Sequence, residues 1–212
     1  IRKHLPALQA QLPQLAVVSL NLQPEHKAVL EGEREIALGP RDALPMRINQ
    51  VPLRLRPQGF FQTNDAVAGE LYAQAGEWIR ELDPPALWDL YCGVGGFALH
   101  AADERRDVLG VETSAEAVAG ARASASELGL RRASFLAADA TRFALDADRV
   151  PPLVIVNPPR RGIGTELAAF FEASDVRHLI YSSYNAESLA RDLAAMPAFS
   201  LLRARTLDMF PH

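Results

Sequence analysis

The feature that most constrains this chain is the segment Trp88-Asp-Leu-Tyr-Cys-Gly-Val-Gly-Gly-Phe-Ala-Leu-His100, which sets a glycine-rich turn between an apolar strand and a helix. A second apolar strand ending in an acid, Val108-Leu-Gly-Val-Glu112, follows it. Gly93, Gly95 and Gly96 have no Cβ, so the backbone turns tightly and a ligand can approach it closely. The helix that follows offers amide groups with no partner of their own. An acid at the tip of the second strand is placed to accept both hydroxyls of a ribose. The pair reads as a nucleotide-type cofactor site in an α/β fold.

The glycine spacing narrows the cofactor. A dinucleotide fingerprint needs glycines at its first, third and sixth positions, so that a pyrophosphate can sit on the helix N-terminus. Counting Gly93 as first, the sixth position is Ala98 and the run is Gly-Val-Gly-Gly. A ligand with a ribose and no pyrophosphate fits better, and S-adenosylmethionine (SAM) is the expectation. Taken alone, the turn could also do no more than pack a helix on a sheet; Glu112 weighs against that.

From Glu77 onward apolar strands alternate with amphipathic stretches, the signature of a parallel sheet covered on both faces. Strands are expected at Ala86–Tyr91, Asp107–Glu112, Ala133–Leu136, Leu153–Val156, His178–Ser182 and Phe199–Thr206, with a helix at Ser114–Leu128 capped by Ser114 and ended by Gly129. The first 57 residues read differently. Val17–Leu22, Glu35–Leu38 and Val51–Arg56 look like short strands of a partial α+β lobe, which places the division at residues 1–57 and 58–212. Arg54 and Arg56 share a strand face. That face suits either phosphate contact or a charged, solvated edge strand, and the second is favoured.

At 212 residues and 49% apolar content the chain can bury a full core. No run approaches the roughly 20 apolar residues of a membrane helix, so no membrane partner is expected and a cytoplasmic location is the default. One cysteine, Cys92, excludes an internal disulfide or a metal cluster built from this chain, and no metal site is expected from the histidines. Cys92 itself should pack under the glycine loop. The net charge of −4 argues against non-specific coating of nucleic acid and leaves room for a local basic groove.

The fourth strand of the alternating region runs into Asn157-Pro-Pro-Arg-Arg-Gly162, a stiff loop at the sheet edge where ligands bind in such folds. There Arg160 and Arg161 are candidate RNA-phosphate contacts; the alternative is a proline-stiffened turn with two exposed arginines. With this loop, six ordered motifs carry a family resemblance: Asn21-Leu-Gln-Pro-Glu-His26, Phe60-Phe-Gln-Thr-Asn64, Asp89-Leu-Tyr-Cys-Gly-Val-Gly-Gly-Phe97, Asn157-Pro-Pro-Arg-Arg-Gly-Ile-Gly164, Tyr181-Ser-Ser-Tyr-Asn185 and Asp208-Met-Phe-Pro-His212. The chain resembles the RNA uracil-5 methyltransferases, most closely their RlmC-type 23S ribosomal RNA branch. The resemblance implies a Rossmann-like SAM-dependent methyltransferase sheet and SAM-binding roles at Gln62, Tyr91, Glu112 and Asn157, with Gly93 and Gly95 in the loop and Asp139 on the adenine side. It implies 23S ribosomal RNA as partner, a monomer, and a uridine flipped from its stack.

The family chemistry adds a cysteine thiolate to C6 of uracil so that C5 becomes nucleophilic, and a base later removes the C5 proton. In the family the nucleophile lies in Tyr-Ser-Ser-Cys-Asn; here Tyr184 stands at that position. At pH 7 ordinary cysteine and tyrosine are ionised to roughly 3% and 0.1%, and the phenol oxygen lies farther from the backbone. Tyr184 is therefore expected to occupy the uracil pocket or stack on RNA. The family's glutamate base follows the Phe-Pro-His motif, and its branch carries cysteines for a [4Fe–4S] cluster in an N-terminal region. Neither has a counterpart in this sequence, so a fragment is the expectation. Two functions compete: a SAM-dependent uracil-5 methyltransferase, and a catalytically silent relative that binds SAM or RNA. Transfer to an exocyclic amine is weaker because Arg160 stands where an aromatic residue would stack the base, and a nicotinamide dehydrogenase is weaker still.

Overall fold

In the computed structural model, residues 2–24, 32, 34–57, 59, 62 and 64–209 are described. Glu25, His26, Phe60, Phe61, Thr63 and Phe210–His212 of the sequence motifs lie outside them.

The centre is a five-stranded parallel sheet made of β5 (Ala86–Leu90), β6 (Asp107–Glu112), β7 (Ala133–Ala137), β8 (Leu153–Val156) and β9 (His178–Tyr181), in the order β7-β6-β5-β8-β9. Around it lie α2 (Asp65–Leu82), α3 (Gly96–Ala101), α4 (Ala115–Glu127), α5 (Ala140–Leu145), α6 (Gly164–Ala173) and α7 (Ala186–Ala194). Helices cover both faces, so the inner strands carry apolar residues on both sides. All four residues of β8 are buried. On one face Leu87, Val108, Leu153 and Ile155 pack with residues of α2, α3 and α4; on the other Trp88, Leu90, Val154 and Val156 pack with α5 and α6.

Polar residues set the helix starts. Side chains of Asn64, Ser114, Asp139 and Asn185 accept backbone amides of α2, α4, α5 and α7 respectively, supplying partners for first-turn N–H groups. Gly129, at φ +68°, ends α4 as the sequence predicts.

Before the sheet come α1 (Leu5–Gln11) and two hairpins, β1 (Ser19–Leu22) with β2 (Arg34–Ala37) and β3 (Leu44–Ile48) with β4 (Val51–Leu55). The sequence reading lacks β3; the Asn49-Gln50 turn, with both residues at positive φ, joins it to β4. This second hairpin shares the core of the main sheet: Ile48 and Leu53 are buried with α2 and α4 residues. Gly120 of α4 lets the Arg54 carbonyl approach to 2.7 Å of where a Cβ would stand. Arg54 pairs with Glu127 at 2.9 Å, and Arg56 pairs with Asp42 and Glu116, so both cations are engaged by acids of the chain itself.

The expected strand at Phe199–Thr206 is a correction: this segment is extended coil. It runs antiparallel along α2, with Arg203 on Glu81 at 2.6 Å, Arg205 on Gln74 and Glu70, and the Met209 carbonyl accepting from Asn64. Side chains of α2 thus hold this segment through its two arginines. Leu201 and Leu202 are left about three-quarters exposed.

Candidate cofactor and RNA site

Because β6 and β8 flank β5 on opposite sides, the chain crosses over between them and leaves a crevice at the C-terminal ends of the strands. Parallel-ladder bonds continue into the loops: Cys92 N–H donates to the Val111 carbonyl, Asn157 N–H to Leu90, and Ser182 N–H to Val156. The residues after β5, β8 and β9 are thereby held at one edge.

On the β5–β6 side the backbone does most of the work. Tyr91 adopts φ +62°, an uncommon conformation for a bulky residue. Gly93 and Gly95 follow at +55° and +84°. A Cβ on Gly95 would stand 2.9 Å from the Phe135 ring, so only glycine fits there. Glu112 is wired to this turn: one carboxylate oxygen accepts from Gly93 N–H at 3.1 Å, the other from Thr113 Oγ1 and Ser114 N–H. Oε1 thus has two donors, and Oε2, with one, keeps acceptor capacity for a ribose hydroxyl. Gln62 is buried; nearby in sequence, a Cβ on Gly59 would stand 4.0 Å from Val94 of the glycine loop. Asp139 is exposed and caps α5 through Arg142 N–H; the Tyr91 hydroxyl lies 3.5 Å from Thr141 of that helix.

Asp89 escaped the sequence reading as a site residue. It is fully buried; one oxygen accepts from Ala98 N–H at 2.8 Å and the other has no partner among the described residues. Burial pushes its carboxyl up to about 7, and the neighbouring Glu112 adds to the rise. The signal was visible as an acid inside an apolar strand. Cys92 packs in the core as expected, and burial raises its thiol well above the ordinary range, which removes it as a nucleophile. His100 is a packing residue: its ring nitrogens contact the Gly96 and Ile48 carbonyls.

The β8–β9 side is built from side chains. Asn157 leaves β8 with its side-chain oxygen buried and without a partner among the described residues, and its amide favours the ionised form of the neighbouring Tyr184 phenol. Burial outweighs this and lifts that phenol to about 12. Tyr184 is 37% exposed. Arg160 and Arg161 are exposed on a turn closed by Gly162 N–H donating to the Pro159 carbonyl. Tyr91, Gly93, Gly95, Glu112, Asn157 and Tyr184 thus all lie at the C-terminal edge of the sheet. A groove of about 420 Å³ lined by Pro84, Pro152 and His178 lies at the opposite edge, away from these residues. Among the described residues no cluster of potential metal ligands occurs and no helix is long and apolar enough to cross a membrane.

Residues 88–158, which carry the glycine turn, Glu112 and Asn157, match the family model described as a methyltransferase domain. With the strand order above, this defines the class: a Rossmann-like fold of the SAM-dependent methyltransferases. The chain is 54% identical over 208 residues to the 23S rRNA (uracil(747)-C(5))-methyltransferase RlmC of Yersinia pseudotuberculosis, covering 98% of this chain and 55% of that protein. The Yersinia pestis protein of the same name is 53% identical over the same coverage. By sequence, the chain is similar to the RNA uracil-5 methyltransferases over nearly its whole length, and it spans about half the length of the curated relatives it matches.

Among solved structures, the Pyrococcus abyssi tRNA (uracil-54, C5)-methyltransferase in complex with S-adenosyl-L-homocysteine superposes with a TM-score of 0.70 at 25% identity, covering 85% of this chain and 44% of that one. A SAM-dependent methyltransferase from Agrobacterium tumefaciens shares the fold, with a TM-score of 0.56 at 17% identity over 77% of this chain and 61% of its own.

Proposed function

We propose that the chain carries the SAM-binding and reaction half of a SAM-dependent methyltransferase that acts on C5 of a uridine in 23S ribosomal RNA. The observation that carries this reading is the glycine turn wired to Glu112, together with two buried carboxyl and amide oxygens, of Asp89 and Asn157, that have no hydrogen-bond partner among the described residues. Such oxygens are costly without a donor, and a ligand with ribose hydroxyls and an ammonium group supplies donors. The residues present fit SAM. Its bound sulfonium supplies an electrophilic methyl group.

Glu112 would hold the ribose, Gly93 and Gly95 would admit the ligand to the backbone, and Gln62, Tyr91, Asp139 and Asn157 would complete the pocket. Arg160 and Arg161 would face RNA phosphates. The division at residue 57, a monomeric state and a cytoplasmic location belong to the same proposal.

A second reading, a silent relative that keeps SAM and RNA binding, is favoured by Tyr184. A phenol at about 12 is ionised to roughly one part in 100,000 at pH 7, too little for addition to uracil C6. Calorimetric titration with S-adenosylhomocysteine tests the shared part: binding is expected, and binding by the Glu112→Ala variant as tight as the parent's would remove the cofactor reading. RNA containing 5-fluorouridine, with SAM, separates the two. Fluorine at C5 blocks the final proton removal, so a nucleophile at residue 184 leaves a covalent protein–RNA product. Trapping with Tyr184→Cys and none with the unaltered chain supports the silent reading; trapping with both supports catalysis through Tyr184.

A further inference from the structure

We propose that Asp192 of α7 is a positioning residue for the RNA-facing side of the crevice. Its buried carboxylate locks the Pro159–Gly162 turn, and with it Arg160 and Arg161, to the segment that carries Tyr184. The inference rests on the reading of those arginines as phosphate contacts.

Asp192 is 3% exposed, on a helix whose other polar residues are mostly at the surface. A single oxygen, Oδ2, accepts from two donors of different origin: Ile163 N–H, from the loop after β8, at 2.8 Å, and the Tyr181 hydroxyl, at the end of β9, at 2.7 Å. The adjacent Arg191 donates to the Arg161 carbonyl at 2.5 Å and lies 3.8 Å from the other Asp192 oxygen. Two consecutive residues of one helix therefore clamp the turn on either side of Gly162. That glycine sits at φ +87°, and a Cβ on it would overlap the Asp192 carboxylate. The contact is closer than any other residue would allow. The same helix begins at Asn185, whose side chain accepts from Glu187 and Ser188 N–H, so the residue after Tyr184 is fixed to the element that holds the arginine turn. Burying a carboxylate is costly unless its hydrogen bonds are made, and here the donors come from both substrate-side loops.

Charge and position predict opposite signs for one substitution. Asp192→Ala removes a negative charge near a site proposed to meet phosphates, so electrostatics alone tightens RNA binding. Loss of the lock weakens it, because alanine leaves Ile163 N–H and Tyr181 O–H without their shared acceptor.

The test measures affinity of the chain for a stem-loop RNA spanning position 747 of 23S ribosomal RNA, with S-adenosylhomocysteine affinity as the internal control. Asp192→Ala is expected to weaken RNA binding about tenfold and leave S-adenosylhomocysteine binding within twofold. Replacing Arg160 and Arg161 by alanine should cost about tenfold in the parent and less than threefold in the Asp192→Ala background. Tyr181→Phe, which leaves the loop bond intact, should cost two- to threefold. RNA binding by Asp192→Ala that is unchanged or tighter overturns the inference, as does additivity with the arginine substitutions or a joint loss of both ligands. Absence of RNA binding by the unaltered chain strikes the RNA reading itself, and removes the role of Asp192 with it, before any substitution is compared.

Discussion

The two sides of the crevice are built by different means. On the β5–β6 side, positive-φ residues and backbone amides set the shape, and Glu112 is held by groups within about two residues of itself or on the adjacent loop. On the β8–β9 side, a proline-stiffened turn is held from 29 residues away by a buried carboxylate on α7. A pocket made of backbone is rigid and tolerates no added atoms. One held by side chains can be loosened by a single distant change while the rest of the fold stands. The difference teaches where substitutions should act globally and where locally.

The largest effect should come from adding a Cβ on the backbone-built side. Gly95→Ala combines a φ of +84° with a contact of 2.9 Å to the Phe135 ring, and should lower stability by about 3 kcal/mol in denaturant melts while reducing S-adenosylhomocysteine binding at least 100-fold. A variant with parental stability and binding would erase the contrast between the two sides.

Asp89 gives the same side a pH signature. Its folded-state value of about 7 lies above its ordinary 3.8, so the folded protein holds the proton more tightly than the unfolded one. Stability must then fall as pH rises from about 4 to about 7, by at most about 4 kcal/mol from this group. Asp89→Asn should flatten that slope in urea melts; an unchanged slope would show that folding does not raise this carboxyl above its ordinary value.

Glu112→Ala removes a carboxylate that accepts charge-assisted bonds, and should weaken S-adenosylhomocysteine binding by about 2 kcal/mol, or roughly 30-fold, measured by calorimetry. The smallest effect is expected on the other side. Tyr184→Phe removes one hydroxyl beside the Asn157 amide from a partly exposed ring, so stability should change by less than about 1 kcal/mol with S-adenosylhomocysteine binding within threefold. A large loss of cofactor affinity there would merge the two sides into one unit.

Much of the backbone-built side was legible in the residues. Leu153-Val-Ile-Val156 and Val108-Leu-Gly-Val-Glu112 read as buried strands because a sheet covered on both faces requires unbroken apolar runs, and both bounds match the structure. The glycine turn and Glu112 stood out because their roles depend on local conformation and neighbours close in sequence. Leu201-Leu-Arg-Ala-Arg205 misled: its pattern suits a strand, yet Arg203 and Arg205 found acids on α2, more than 100 residues earlier. The hairpin partner β3 was missed because Pro45 and Arg47 break its apolar pattern, while its place is secured by pairing with β4.

The sequence by itself determined the alternating α/β order, the glycine turn with its acid at the next strand tip, the helix caps at Ser114 and Gly129, and the family motifs. These depend on φ preference, periodicity and hydrogen bonds between near neighbours. Only the tertiary structure decided that Asp89 lies buried with a free acceptor, that Arg54 and Arg56 are spent on acids of the same chain, and that Asp192 joins the two substrate-side loops. An acid's identity carries no record of whether folding will bury it, or of which distant donors will meet it there.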